Sequence, residues 1–167
     1  MSYRNKTYVI FDGDNDIWAY RFMKGWKAND KINFDFHDAH DLKPLTDQAG
    51  EVTVKRRLRE RFSNAKQVIF LMGDSTKNLY RFVRWELQVT LGLDIPIIAV
   101  NLNGQRSCDI ELCPAIIRDE YVVHVSFKMA IIKYALDNFP PFYHKRDVDA
   151  KGPLHYKGEV YKDLGLD

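Results

Sequence analysis

The sequence predicts an α/β fold: a doubly wound sheet of five parallel strands with helices on both faces. Three observations predict it. Short apolar runs of strand length recur along the chain. Amphipathic, helix-length segments separate them. The runs are too uniformly apolar for a sheet with one wet face. A length of 167 residues suits one domain with a sizeable core, and 46% hydrophobic with 29% charged residues fits a globular chain.

Thr7 to Phe11 reads as the first buried strand and ends in Asp12-Gly13-Asp14-Asn15-Asp16. A helix follows with Trp18, Phe22, Met23 and Trp26 on one face, its start capped by Asp14 or Asp16 and its end marked by Gly25 and Asn29-Asp30. Ile32 to Phe36 alternates apolar and polar, as a half-buried or edge strand does. His37 to Gly50 is a long polar connection, a length at which loops are usually functional or mobile. Val54, Leu58 and Phe62 give the next helix its buried stripe, and Lys55, Arg56, Arg57, Arg59 and Arg61 fill the rest. That basic run is either a solvated face or a contact for a phosphate or a second subunit.

Val68 to Met72 is the third strand, and Leu79 to Leu91 the helix after it, with Gly92 closing that helix. Ile95 to Leu102 is the fourth strand and Tyr121 to Val125 the fifth. Phe127 to Phe139 is a last helix, which Pro140-Pro141 should stop. The domain is expected over 1–141. Residues 142–167 form a polar, tyrosine-rich extension, lying on the domain or partly disordered.

Composition also excludes. A net charge of +2 gives no argument for nucleic acid or an anionic membrane. No apolar run is long enough to span a membrane, and no secretory signal is seen, so a cytoplasmic protein is expected. Cys108 and Cys113, without a second pair, give no zinc motif and read as ordinary reduced thiols; no metal is expected.

The residue that stands out is Glu86. Its helix carries an apolar stripe at Leu79, Phe82, Val83, Leu87 and Leu91, and Glu86 lies within it, four residues after Phe82 and three after Val83. No Lys or Arg stands at 82, 83, 89 or 90 to neutralise it. A buried carboxylate without a local cation needs a distant partner, a cleft, or a raised pKa. Glu86 is therefore either bent to water or paired with a distant arginine, or it is a cleft carboxylate at the carboxyl edge of the sheet, where such folds bind ligands. Three loops should meet at that edge: 12–16, 37–50 and 73–78.

Two chemistries compete for the acidic first loop. Asp12-Gly13-Asp14 after a strand has the form of the first motif of haloacid-dehalogenase-like phosphatases, in which a nucleophilic aspartate and a second acid flank magnesium. The rest of that constellation is missing: Asn15 follows the second acid, and Asn101-Leu102-Asn103-Gly104 stands where an acidic pair belongs. The alternative needs no metal. Carboxylates suit ribose hydroxyls and cations. Oxidised nicotinamide is a cation whose N-glycosidic bond breaks through an oxocarbenium-like state, which a nearby carboxylate stabilises. Glu86 fits that role, with Phe11 or Trp85 as stacking surfaces or plain core.

Phe11 to Arg21 after the first strand, Gly73-Asp74-Ser75-Thr76 after the third, and Phe82-Val83-Arg84-Trp85-Glu86-Leu87 on the following helix together resemble a TIR domain. The resemblance covers roughly residues 6–139, and the group is the bacterial TIR-like proteins of Thoeris antiphage defence. It implies a flavodoxin-like five-stranded sheet. It also implies NAD+ cleavage, with NAD+ as substrate and no cofactor, giving ADP-ribose or a cyclised product that signals to a separate effector. By the match Glu86 is the catalytic carboxylate. Phe11, Asp12, Gly13, Asp14, Asp16, Ser75 and Trp85 line the substrate, and the 37–50 loop serves self-assembly into a homo-oligomer. Relatives carrying Ser or His in the first loop differ from the acids and Gly13 here, which leaves product identity open. A non-catalytic TIR interaction module is the alternative.

Overall fold

The computed structural model of the chain describes residues 6–32, 34–38, 50–79 and 81–167. The strands are β1 (Lys6–Ile10), β2 (His37–Asp38), β3 (Gln67–Met72), β4 (Ile97–Asn101), β5 (Val123–Ser126) and β6 (Leu154–His155). All pairings are parallel, in the order β2-β1-β3-β4-β5-β6. The first five have the expected flavodoxin-like order, with the reversal between β1 and β3.

Helices α1 (Ile17–Ala28), α2 (Glu51–Phe62), α3 (Phe82–Gly92), α4 (Ala115–Arg118), α5 (Met129–His144) and α6 (Gly158–Asp163) cover the sheet. Alternation along β1 shows why two layers are needed. Val9 and Phe11 pack in one core with α1, α5 and Tyr161 of α6; Tyr8 and Ile10 pack in the other with α2, α3 and α4. Residues two apart share a face, so a fully apolar strand demands cover on both sides. β3 is buried at every position, and burial of each of its apolar side chains, Val68 to Met72, contributes roughly 1.5–3 kcal/mol before entropy is counted.

Three elements depart from expectation. The second strand is two residues long and follows Ile32–Phe36 rather than lying within it. Phe34 and Phe36 are buried and Asp35 exposed, as the alternation predicts. Their rings, however, join Trp26 at the end of α1, with Trp26–Phe34 centroids 5.5 Å and Phe34–Phe36 centroids 5.7 Å apart. That segment packs on a helix, and pairing with β1 begins only where Lys6 meets His37. Helix α3 starts at Phe82; the residues before it form a 3-10 turn at Thr76–Asn78.

The third departure is α5, which runs through Pro140 and Pro141 to His144. Proline forgoes a backbone hydrogen bond there, but packing outweighs the loss. Phe139, Pro140 and Tyr143 are buried, Tyr121 lies 6.3 Å from Phe139 and 6.2 Å from Tyr143, and the Tyr143 hydroxyl donates to Asp94 at 2.7 Å. Arg146 also donates to Asp94 at 2.7 Å, which fixes the chain just past the helix.

The extension after 141 is part of this structure. Lys151 pairs with Glu120 at 2.8 Å, Gly152 N–H donates to Asp119 O at 2.8 Å, and Leu154 N–H donates to Val122 O at 2.8 Å as β6 joins β5. α6 then places Tyr161, fully buried, against the core. No described helix is long and apolar enough to cross a membrane.

Candidate functional site

The carboxyl edge of the sheet gathers the loops after β1, β3 and β4. Asn15, Asp16, Trp18, Gly73, Asp74, Ser75, Leu102 and Asn103 line an open cleft there of about 410 Å³. Two of the three expected loops therefore meet. Of the third, residues 39–49 lie outside the described residues.

The acids of the first loop have separate roles. Asp12 is buried, and its carboxylate accepts hydrogen bonds from Asp14 N–H at 3.0 Å, Asn15 N–H at 3.2 Å and Asn15 Nδ2 at 2.7 Å. This is an Asx turn, in which a side chain takes the place of a backbone acceptor. Both its oxygens are engaged by their own loop, a poor posture for a nucleophile. Asp16 is also buried, and its carboxylate accepts from the Thr76 hydroxyl at 3.0 Å. Thr76 Oγ1 in turn accepts from Gly73 N–H at 2.9 Å. This ties the first loop to the third. Gly73 is required for it, because a Cβ at that position would collide with the Asp16 carboxylate, 2.7 Å from its Cγ. Desolvation raises the Asp16 pKa; Thr76 opposes the rise, and the charges of Asp12 and Asp74 add to it. Asp14, Gly13 and Ser75 are exposed. Among the described residues the three acids do not converge to metal-ligand distance. The crowding of Asp12, Asp14 and Asp16 is thus one turn-former, one latch and one solvated acid.

Glu86 stands apart from that cleft, about 6 Å along the axis of α3 from its first residue. It faces α2 and β1, in the layer of Tyr8, and does not line the Asp16–Ser75 cleft. The residue as a whole is partly buried. Desolvation pushes its carboxyl up to about 8, opposed by a hydrogen bond from Tyr8 and by the charge of Arg61. Arg61 comes from the basic run of α2, in which Arg56, Arg57 and Arg59 are exposed and the half-buried Lys55 pairs with Glu51 at 2.8 Å. The distant cation, the burial and the raised pKa therefore all occur together. Tyr8 is correspondingly raised, first by its own burial and then by the charge of Glu86.

The aromatic candidates separate. Phe11 stacks on Tyr20 of α1, centroids 4.9 Å apart, in the layer opposite to Glu86. Trp85 shares the Glu86 layer but is buried, with Phe82 at 5.7 Å and the Arg81 guanidinium 5.6 Å from its ring centroid. Tyr8 and Arg61 are the neighbours of Glu86 that sequence reasoning missed. Tyr8 is hidden in a strand that reads as uniformly apolar, and Arg61 is one of five cations on a helix with no periodicity to single it out.

The chain matches the model of one protein family, described as Thoeris protein ThsB, TIR-like domain, over residues 8–107, more than half of its length. The match spans β1 to the loop after β4 and includes Tyr8, Arg61, the Asp12–Asp16 loop and Glu86.

Proposed function

The chain belongs to the Thoeris ThsB TIR-like family of antiphage defence, and from that premise we propose that it cleaves NAD+ at the nicotinamide N-glycosidic bond, with Glu86 as the catalytic carboxylate. The observation that carries this reading is the enclosed Glu86 carboxyl held by Tyr8 and Arg61. A structural helix has no need of a desolvated acid at that position. A site for a cation does.

In the free protein at neutral pH, burial keeps Glu86 largely protonated. A cationic nicotinamide ring brought beside it favours the ionised form, as do the Arg61 charge and the Tyr8 hydrogen bond. The carboxylate then faces positive charge developing at the ribose C1′ as the C–N bond breaks. The bonding pair leaves with nicotinamide, which becomes neutral. Water adds at C1′ and gives up a proton to solvent, yielding ADP-ribose, or a nucleophile within the same molecule adds there and yields a cyclised product. Asp16 and Ser75 in the cleft at the carboxyl edge offer partners for ribose hydroxyls. The product diffuses through the cytoplasm to a separate effector, and turnover takes place in a homo-oligomer.

The test is nicotinamide release from NAD+ by the wild type and by Glu86→Gln. Loss of roughly a hundred- to a thousandfold in kcat/KM is expected for the variant, the scale of one preorganised electrostatic group. Equal release from both overturns the assignment of Glu86. Release from neither favours a non-catalytic interaction module.

A further inference from the structure

Outside the family-matched segment, the Sγ atoms of Cys108 and Cys113 and a ring nitrogen of His124 lie within 4.8 Å of one another. We propose that these three side chains form a binding site for a borderline-soft divalent cation of the zinc class, with one coordination position left for water or a fourth side chain.

The fold builds this cluster from well-held parts. Asn101, at the end of β4, donates through Nδ2 to Gln105 O at 3.0 Å and Ser107 O at 2.8 Å, which fixes the loop as it enters Cys108. Cys113 N–H donates to Asp109 O at 2.8 Å, which turns the second thiol back toward the first. His124 is in β5 between Val123 and Val125; those two point into the α1–α5 layer, so His124 points into the other, beneath the Cys113 loop. Its sheet partner on β4 is Ala99, small enough to leave room above the strand.

A second observation is independent of that proximity. His124 is fully buried, and among the described residues neither of its ring nitrogens has a hydrogen-bond partner. A neutral imidazole whose N–H and lone pair both go unmet is costly in a core. A metal ion would satisfy one of them. Two thiolates and one imidazole suit zinc, and two thiolates balance its charge. A contraction of roughly 1 Å brings the three donors to tetrahedral spacing, given Zn–S near 2.3 Å and Zn–N near 2.0 Å. Arg118 donates through Nη2 to Cys113 O at 3.1 Å. His155, which pairs with His124 across β5 and β6, is not part of that 4.8 Å group. Such an ion would bind the loop after β4 to the sheet beside the C-terminal extension, and so act structurally.

Binding is written as M²⁺ plus two thiols and a neutral imidazole giving a neutral dithiolate complex and two protons. The probe is Co²⁺, then Zn²⁺, added to the reduced full-length chain. One equivalent of Co²⁺ is expected, with thiolate-to-metal charge transfer and intense tetrahedral d–d bands. Either metal should release about two protons per chain on binding the free chain and raise Tm, and Zn²⁺ should displace Co²⁺ with no further proton release. Cys108→Ser, at the partly exposed position, should keep the native circular dichroism and weaken binding at least a hundredfold. His124→Asn should remove the charge-neutral tetrahedral spectrum as well. Octahedral cobalt bands, affinity unchanged in Cys108→Ser, or a Cys108–Cys113 disulfide forming equally fast with and without Zn²⁺ would each overturn the proposal.

Discussion

Glu86→Gln should make the protein more stable at pH 8 while removing NAD+ cleavage. The Glu86 carboxyl titrates at about 8 in the fold, against an ordinary value of 4.5. Between those values the unfolded chain carries an ionised Glu86, and the folded chain keeps the proton. The unfolded state therefore binds fewer protons, and stability falls as pH rises through that window. By pH 7 the accumulated cost is about 3 kcal/mol, a ceiling for a partly exposed residue. Glutamine has nearly the same shape, takes the Tyr8 hydrogen bond and carries no charge, at the loss of the Arg61 attraction. The expected net gain is about 1–3 kcal/mol at pH 7–8, or roughly 3–10 °C in Tm, shrinking toward zero near pH 4.5. Thermal melts of both proteins at pH 5 and pH 8 check this. A variant destabilised equally at both would make Glu86 a structural anchor. The expected opposition of stability and activity is the mark of a site kept for chemistry.

The second large effect lies in the C-terminal extension. Tyr161→Ala should cost about 3–5 kcal/mol, the range for emptying a buried aromatic site, and a large part of the whole stability of a domain this size. Tyr161 is fully buried, and its hydroxyl accepts Ser126 N–H at 3.3 Å. The Arg106 guanidinium lies 4.2 Å from its ring centroid and donates to Leu166 O at 3.0 Å. The Arg106–Asp167 ion pair at 2.7 Å is about 40% exposed on both sides and adds little. Tyr161→Phe keeps the ring and loses only the hydrogen bond, so about 1 kcal/mol is expected. Urea unfolding separates the two. A loss below 1 kcal/mol for Tyr161→Ala would mean that the extension merely rests on the domain.

These two residues also mark how far the sequence could be read. The parallel sheet was legible because β1, β3, β4 and β5 are apolar on both faces, a pattern that only two-sided cover satisfies. Glu86 was legible because it breaks a helical stripe. Its partners were not, since Tyr8 and Arg61 meet it through tertiary packing that no spacing records. α5 was read as ending at Pro140-Pro141 because local propensity stops a helix there, whereas burial of Phe139 and Tyr143 carries it on. For the 142–167 segment the lack of periodicity leaves open whether it lies on the domain or is partly disordered; Tyr161, β6 and the Lys151–Glu120 pair hold it on the domain. The zinc-class cluster left no motif, because its third donor lies inside the next strand.

The most direct test of the central claim, that ionised Glu86 supports NAD+ cleavage, is the pH dependence of kcat/KM for nicotinamide release. The ionised form is the active one, so the wild-type rate should climb as pH rises and level off above an inflection near 8. Tyr8→Phe removes a hydrogen bond that lowers the Glu86 pKa and should move that inflection upward. A profile flat from pH 6 to 9, or an inflection indifferent to Tyr8, would contradict the account.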